Sequence, residues 1–395
     1  MRFYIRYMDR KLIYITNNPI PTGRAYGNQI MKLCEAFADL GIKTELVYLG
    51  AENMDRREFF GHFGAKDNFI LRPVSFFNFL KLEKYIGKLS FYLQSLMFLI
   101  RVIFLKIDRD AVIYTRHPEI AWLMGLRGLT TYYEDHGGIN KNSFLFLKFL
   151  KRANGIVAIN GFIKNEFVKR GIDPARVLVA PSGVDLNNFD IDISREEAIK
   201  RLDLERELGI DLKNKKILVY TGNFRTKGVS KGVDEILKAI VLLKDLDLVF
   251  LAVGGSAEEI DLYGQIATDI GVNNAFFFPR QSQEKLALFQ KAADALLMPF
   301  PDKAHYKYFM SPVKMFEYMA SKKPIIASDL PSIKEVLNDK NALLVKEGYP
   351  EDLAQGIKNI LNDKRFAENL TTQAFIDVKK YSWQERVKKI LAFVG

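Results

Sequence analysis

KILVYTG, residues 216–222, is an apolar strand pattern closed by a glycine, and it directly follows the charged segment ISREEAIKRLDLERELGIDLKNKK, residues 193–216. At this point an alternation that has run through the first half of the chain begins again. Upstream, KLIYIT (11–16), TELVYL (44–49), AVIYT (111–115), GIVAI (155–159) and RVLVA (176–180) are short strand-like runs separated by helix-like stretches. Downstream, LVFLAVG (248–254), AFFFP (275–279), ALLMPF (295–300), PIIAS (324–328) and ALLVK (342–346) repeat the pattern. Strands alternating with helices specify parallel, doubly wound sheets. The predicted fold is therefore α/β, with two Rossmann-like domains facing each other across a cleft at the carboxyl ends of their strands, where such folds bind ligands. The charged segment reads as a helix and a linker, with the boundary near 186–212, which gives domains 1–190 and 191–380. The closing YSWQERVKKILAFV has helical spacing and is expected to pack back on the first domain, so 381–395 is assigned there.

Bulk composition fits this scheme. The chain has 395 residues, 48% of them hydrophobic, enough for two or three self-sufficient cores. Its one cysteine, Cys34, excludes an intrachain disulfide and a cysteine metal cluster, and points to a reducing, cytoplasmic compartment. The opening MRFYIRYMDRK alternates Phe3, Ile5 and Tyr7 with polar residues, a strand pattern without the apolar block of a signal peptide, so no secretion signal is expected. LSFYLQSLMFLIRVIFLK, residues 89–106, is broken by Gln94 and Arg101 and is too short to span a bilayer; it reads as a buried or membrane-grazing helix.

A net charge of +11, from 58 Lys and Arg against 47 Asp and Glu, favours anionic partners: nucleotides, phospholipid surfaces or nucleic acid. No nucleic-acid recognition motif is present, and nucleic acid is not expected as a partner. Residues 141–170 hold seven cations (Lys141, Lys148, Lys151, Arg152, Lys164, Lys169, Arg170) against Glu166 alone. Two readings stand for this patch, a solvated helix face and a membrane-facing surface.

Four segments carry chemistry. NNPIPTGRAYGNQIMKLCEAFADLG, residues 17–41, puts Gly23 and Gly27 in a loop entering a helix, where the backbone can approach an anion or a sugar. Its spacing is not G-x-G-x-x-G and the next strand ends Tyr48-Leu49-Gly50 without an acid, which argues against a nicotinamide enzyme. TTYYEDHGG, residues 130–138, places His136 at a strand end with Glu134 or Asp135 to orient it; a loop histidine without a ligand is the equal alternative. His62, His117 and His305 have less supporting context. VYTGNFRTKGVSKGVDEILKAI, residues 219–240, combines Gly222, Arg225, Lys227, Gly228, Lys231 and Gly232 ahead of a helix, a set able to neutralise a diphosphate, although it is not a Walker A loop.

The fourth segment is YFMSPVKMFEYMASKKPIIASD, residues 308–329. Ser311 is expected to cap a helix with Pro312 in its first turn, presenting free amides to a phosphate. Glu317, ionised, would accept hydrogen bonds from the two hydroxyls of a ribose. The bland alternative is a surface pair of Glu317 with Lys314.

SPVKMFEYMASKKPIIASDLPSIKEV, residues 311–336, resembles the S-P-x-K-x-F-E-Y-M-A-x-x-x-P-I-I-A-S-D-x-P segment of retaining family-4 glycosyltransferases of the GT-B fold. The Gly23/Gly27 loop, KGVDEIL after a Y-x-G strand end, and YSWQERV follow the same family in order, so the resemblance covers nearly the whole chain. It implies a metal-independent, cofactor-free transfer, with retention, from a UDP- or GDP-linked sugar to a glycan acceptor, lipid-linked in one version, in cell-surface polysaccharide or glycoconjugate synthesis. By the same resemblance Glu317 holds the ribose, Lys231 the diphosphate, and His136 lies near the donor sugar; Arg225 is grouped with His136 and Lys231 as catalytic. Gly222, Asn223, Arg280, Ser311, Pro312, Val313 and Lys314 join Gly23, Gly27 and Glu317 as nucleotide-sugar-binding residues, and no metal ligand is expected. Two positions depart from the family pattern: Phe309 stands where a first glutamate would, and Asn223 where an arginine would, with Arg225 as its substitute. The implied location is the cytoplasm, with peripheral contact to an anionic membrane on its inner face. A nucleotide-sugar epimerase of the same fold and a non-catalytic binding protein are the rival classes.

Overall fold

The computed structural model describes residues 11–22, 25–50, 55–75, 77, 79–137, 144–226 and 228–394. Gly23, Lys227, Gly138, Lys141 and the strand pattern around Phe3, Ile5 and Tyr7 lie outside the described residues. The chain divides into two compact units, Met1–Pro181 with Trp383–Gly395, and Ser182–Ser382.

In the first unit, β1 (Lys11–Pro19), β2 (Lys43–Leu49), β3 (Ile70–Val74), β4 (Val112–Thr115), β5 (Thr130–Asp135), β6 (Gly155–Ala158) and β7 (Val177–Val179) form one sheet in the order β3-β2-β1-β4-β5-β6-β7. Every pairing is parallel. Strand alternation sends Leu12 and Tyr14 into one core and Ile13 and Ile15 into the other, as a sheet covered on both faces requires. The helix Ala25–Asp39 covers the first face, with Trp383, Val387 and Ile390 of the returning helix Trp383–Val394 packed beside it. The expected return of the carboxy-terminal helix to the first unit is thus met. Helices Leu89–Ile103 and Pro118–Leu126 cover the opposite face through Phe98, Val102, Ile120 and Met124. The strand β3 escapes a sequence reading because ILRPV lacks alternation and carries Pro73, which an edge position tolerates.

The second unit holds β8 (Lys216–Thr221), a short antiparallel hairpin of β9 (Arg225–Thr226) and β10 (Val229–Ser230), then β11 (Leu248–Gly255), β12 (Ala275–Pro279), β13 (Ala295–Met298), β14 (Ile325–Ser328) and β15 (Leu343–Val345). Its parallel sheet runs β12-β11-β8-β13-β14-β15. Residues 193–216 are not a linker: helices Arg195–Leu202 and Leu204–Leu208 bury Ala198, Ile199 and Leu204 in the core of this unit, joined by Leu212. Residues 182–190 also pack here, since Phe189 enters that core and Val184 bridges to Ser382.

In both sheets the chain reverses its direction of winding once, between β1 and β4 and between β8 and β13. Loops leaving those two strand pairs diverge to opposite faces and open a crevice at their carboxyl ends.

Candidate functional site

In the second unit, backbones crowd around the β8/β13 crevice. Gly222 follows β8 with φ 110°, and Gly254 at φ 125° lies so close that a Cβ on it would stand 2.8 Å from the Gly222 backbone. Gly232, at φ 100°, opens the helix Val233–Val241 with its α-carbon against Pro299; a side chain there would meet the Pro299 carbonyl at 1.9 Å.

Two lysines converge on this crowded turn. The Lys314 ammonium is buried, has no hydrogen-bond partner among the described residues, and lies 3.5 Å from the centroid of the Tyr220 ring. Its Nζ would touch a Cβ placed on Gly222, so it occupies the mouth of that turn. Burial first, and the charge of Lys231 second, push Lys314 well below its ordinary pKa. Lys231 is itself lowered by burial and by Arg280, against an opposing contribution from Glu259. Lys231 thus adds to the positive field at Lys314, and Arg280 to that at Lys231, although the two lysines are far apart in sequence.

Glu317 sits one turn beyond Lys314 on the helix Val313–Ala320, beside the buried amide of Gln290. No ion pair joins it to Lys314 in the sense of the surface alternative; it is buried, and burial raises its pKa to about 7, with Lys314 and Gln290 opposing. It is therefore poised between protonation states at neutral pH rather than fully ionised.

One expected role changes. Ser311 does not cap the helix: Pro312 is the N-cap and makes no side-chain bond. The Ser311 hydroxyl instead accepts the Ser182 N–H at 3.0 Å, while the Ser182 hydroxyl donates to the Ser311 carbonyl at 2.7 Å, a latch that fixes where the helix begins. Arg225 turns inward on its own hairpin and donates through Nε to the Gly228 carbonyl at 3.1 Å. Asn223 accepts the Tyr220 hydroxyl with its backbone carbonyl at 2.9 Å. Gly27 lies inside the first turn of its helix, where a side chain would collide with Thr22.

In the first unit the β5 end carries a buried ionic cluster. Glu134 accepts from Arg116 at 2.8 Å, from Arg386 at 2.9 Å, from the Tyr114 hydroxyl and from His136 Nε2. Burial alone would raise its pKa, but Arg386 and Arg116 hold it well below the carboxylate range. Arg116 also reaches Gln29 of the helix Ala25–Asp39, at 3.0 Å. Burial and Arg116 lower His136 to about 4, so its ring is neutral at pH 7, donating at Nε2 to Glu134 and leaving Nδ1 as an acceptor. Of the two acids it is Glu134 that holds the histidine, and Asp135 accepts the Gly137 N–H at 2.8 Å.

His117, given little weight from sequence, stands at the β1/β4 crevice. Its Nε2 accepts the Asn17 N–H at 3.2 Å, which places its proton on Nδ1, 3.5 Å from Glu119. The Asn17 side chain donates to Ser95 at 3.0 Å and keeps its buried Oδ1 without a partner among the described residues. Asn17, Gln29 and Arg386 lie inside the motif-bearing segments 17–41 and 381–387 without a pattern that marks them, Arg116 lies in none, and His117 had little context; their neighbourhood is made by strand order and the returning helix.

Comparison with known proteins bears on the family and the fold. Residues 27–188 match the sequence model of Glycosyltransferase Family 4, and residues 215–363 that of Glycosyl transferases group 1. An uncharacterised glycosyltransferase of Methanocaldococcus jannaschii is 24% identical over 217 residues, covering 54% of this chain and 52% of that protein. A D-inositol 3-phosphate glycosyltransferase of Nocardioides is 27% identical over 237 residues, covering 55% and 48%. The chain thus spans about half the length of these curated relatives. Among solved structures, a Rickettsia africae glycosyltransferase superposes with TM-score 0.73 at 16% identity over 98% of both chains. Anabaena HepE, solved in complex with UDP and glucose, gives 0.70 at 13% identity over 97% of this chain and 99% of its own. Between them the two sequence models span most of both units, and the chain belongs to the family-4 type of glycosyltransferases with the GT-B fold.

Proposed function

We propose that this protein transfers a sugar from a UDP- or GDP-linked donor to a hydroxyl of a glycan acceptor, lipid-linked, with retention of configuration and without a metal ion. The reaction class is the one that builds cell-surface polysaccharides and glycoconjugates. The observation that carries the reading is the Lys314 ammonium, buried at the Gly222 turn without a hydrogen-bond partner among the described residues and lying in the positive field of Lys231. Two such cations repel when the site is empty, and a diphosphate inserted between them relieves the repulsion. Glu317, on the same helix as Lys314, is assigned the ribose hydroxyls in this reading. The UDP and glucose held by HepE, which shares the fold, support a nucleotide-sugar donor.

In this mechanism the acceptor oxygen attacks the anomeric carbon from the side of the departing diphosphate. The anomeric C–O bond to phosphate breaks, the new C–O bond forms, and the acceptor proton passes to the departing phosphate oxygen. Lys231 and Lys314 stabilise the charge growing on that oxygen, so catalysis is electrostatic and positional. On the acceptor side, Asn17 and His117 supply polar atoms at the β1/β4 crevice, and neutral His136 offers Nδ1 to a sugar hydroxyl.

Incubation with UDP-, GDP- and ADP-sugars, following release of free nucleotide with and without glycan acceptors, tests the reading. Acceptor-dependent release supports transfer; sugar conversion without acceptor supports an epimerase; saturable binding without turnover supports a binding protein.

A further inference from the structure

The helix Leu89–Ile103 is amphipathic in the wrong sense for water. Its inward positions are Ser90, Gln94, Phe98 and Val102, a four-residue spacing that begins with two polar residues. Ser90 is satisfied by the Gly87 carbonyl at 2.7 Å, and Gln94 by the Phe79 N–H at 2.8 Å. Its outward stripe, Leu89, Tyr92, Leu96, Ile100 and Ile103, falls at spacings of three and four and is exposed throughout. Around it Tyr85 is 80% exposed, Phe104 79% and Phe91 62%. An ordinary surface helix buries such a stripe and exposes its polar residues. A contiguous apolar face of this kind marks a docking surface.

Charge selects the occupant. Lys81, Lys84, Lys88, Arg101 and Lys106 surround the stripe, all exposed and none in an ion pair among the described residues, with Glu83 the one acid between residues 77 and 106. Apolar side chains set among long cationic ones suit insertion into a bilayer interface, with the charged heads reaching anionic headgroups. No helix among the described residues is long and apolar enough to cross a membrane, so contact at this face would be peripheral. The other basic segment, 141–170, is a weaker candidate, because Arg170 and Lys169 are both engaged by Glu166.

We infer that the face formed by residues 77–106 docks this protein onto an anionic lipid surface, with Leu96 and Ile100 inserted among the lipids. The docking helix reaches the acceptor side directly, since Ser95 accepts the Asn17 side chain at the β1/β4 crevice. Docking therefore sets that crevice beside the membrane, which deepens the proposed function by naming the surface from which its lipid-linked acceptor is reached; only this last step rests on that function.

Co-sedimentation with phosphatidylcholine vesicles, with and without about one third phosphatidylglycerol, tests the surface, and UDP binding is measured in parallel. The wild type is expected to pellet with the anionic vesicles at low salt and to bind at least tenfold less to neutral ones. Leu96→Glu with Ile100→Glu is expected to abolish pelleting while leaving UDP binding unchanged; Lys81→Glu with Lys84→Glu and Lys88→Glu should weaken it severalfold. Equal pelleting of wild type and the Leu96/Ile100 variant overturns the inference, as does a wild type that ignores vesicles at every salt concentration. A wild type that self-associates through this face, reverting to monomer in the same variant, assigns it to a second copy and also overturns it. A wild type that binds vesicles but neither UDP nor GDP would instead sink the donor reading alone.

Discussion

Arg386 donates to Glu134 at 2.9 Å across 252 residues of sequence, with both side chains buried. Glu134 is shared with Arg116 at 2.8 Å, so one carboxylate holds two guanidinium groups inside the first unit. Removing one member of a buried pair leaves an uncompensated charge, which costs about 3–5 kcal/mol. Glu134→Gln is expected to lower the unfolding free energy by that order, read from urea titration; a loss below about 1 kcal/mol would contradict the buried network.

His136 should give the cluster its response to mild acid. Its pKa is lowered from 6.5 to about 4 by burial and Arg116, so the unfolded chain takes up a proton before the folded one does. The stabilisation this group contributes is complete above pH 6.5 and is lost as pH falls toward 4. The drop in melting temperature between pH 7 and pH 5 should therefore be smaller in His136→Gln than in wild type. Equal slopes would place the histidine in solvent.

Lys314 carries opposite predictions for stability and binding. A buried, unpaired ammonium opposes folding, so Lys314→Met is expected to raise the stability of the free protein by roughly 1 kcal/mol, as functional sites commonly permit. The same change should weaken UDP binding at least tenfold by calorimetry. Lys231→Ala should cut turnover about a hundredfold or more with the fold intact by circular dichroism. Full turnover in that variant would remove Lys231 from the site.

Glu317 predicts a pH dependence of ligand binding. Burial raises its pKa to about 7, so in the free protein its contribution to stability is present below pH 4.5 and declines as pH rises through 7. Ribose hydroxyls favour the ionised form, so nucleoside affinity should increase between pH 6 and pH 8. That increase should vanish in Glu317→Gln, and its persistence there would exclude Glu317 as the group responsible.

Gly232→Ala tests the crowded turn. The new methyl would overlap the Pro299 carbonyl at a φ of 100°, so the turn must shift. Expected outcomes are a stability loss of about 2 kcal/mol or more, within the range of strained backbone substitutions, and weakened UDP binding in what remains folded.

The sequence by itself determined the α/β class, all the strands of the second parallel sheet, the return of the final helix, and the placement of Gly222 after a strand, Lys231 in the turn before a helix and Glu317 on a short helix. These are local properties: strand-length apolar runs, glycines at turns and the period of a helix are written in neighbouring residues. Strand order was decided only by the tertiary structure. The crossover that lays β4 against β1 brings His117 to Asn17, and the returning helix brings Arg386 to Glu134; neither has a local signature. Burial was equally out of reach, because solvent exclusion at Lys314, Glu317 and His136 arises from residues distant in the chain. The SPVKMFEYMAS stretch marked where the site would be, while packing decided that Ser311 is a latch to Ser182, that Lys314 faces Tyr220 unpaired, and that Glu317 is poised rather than simply charged.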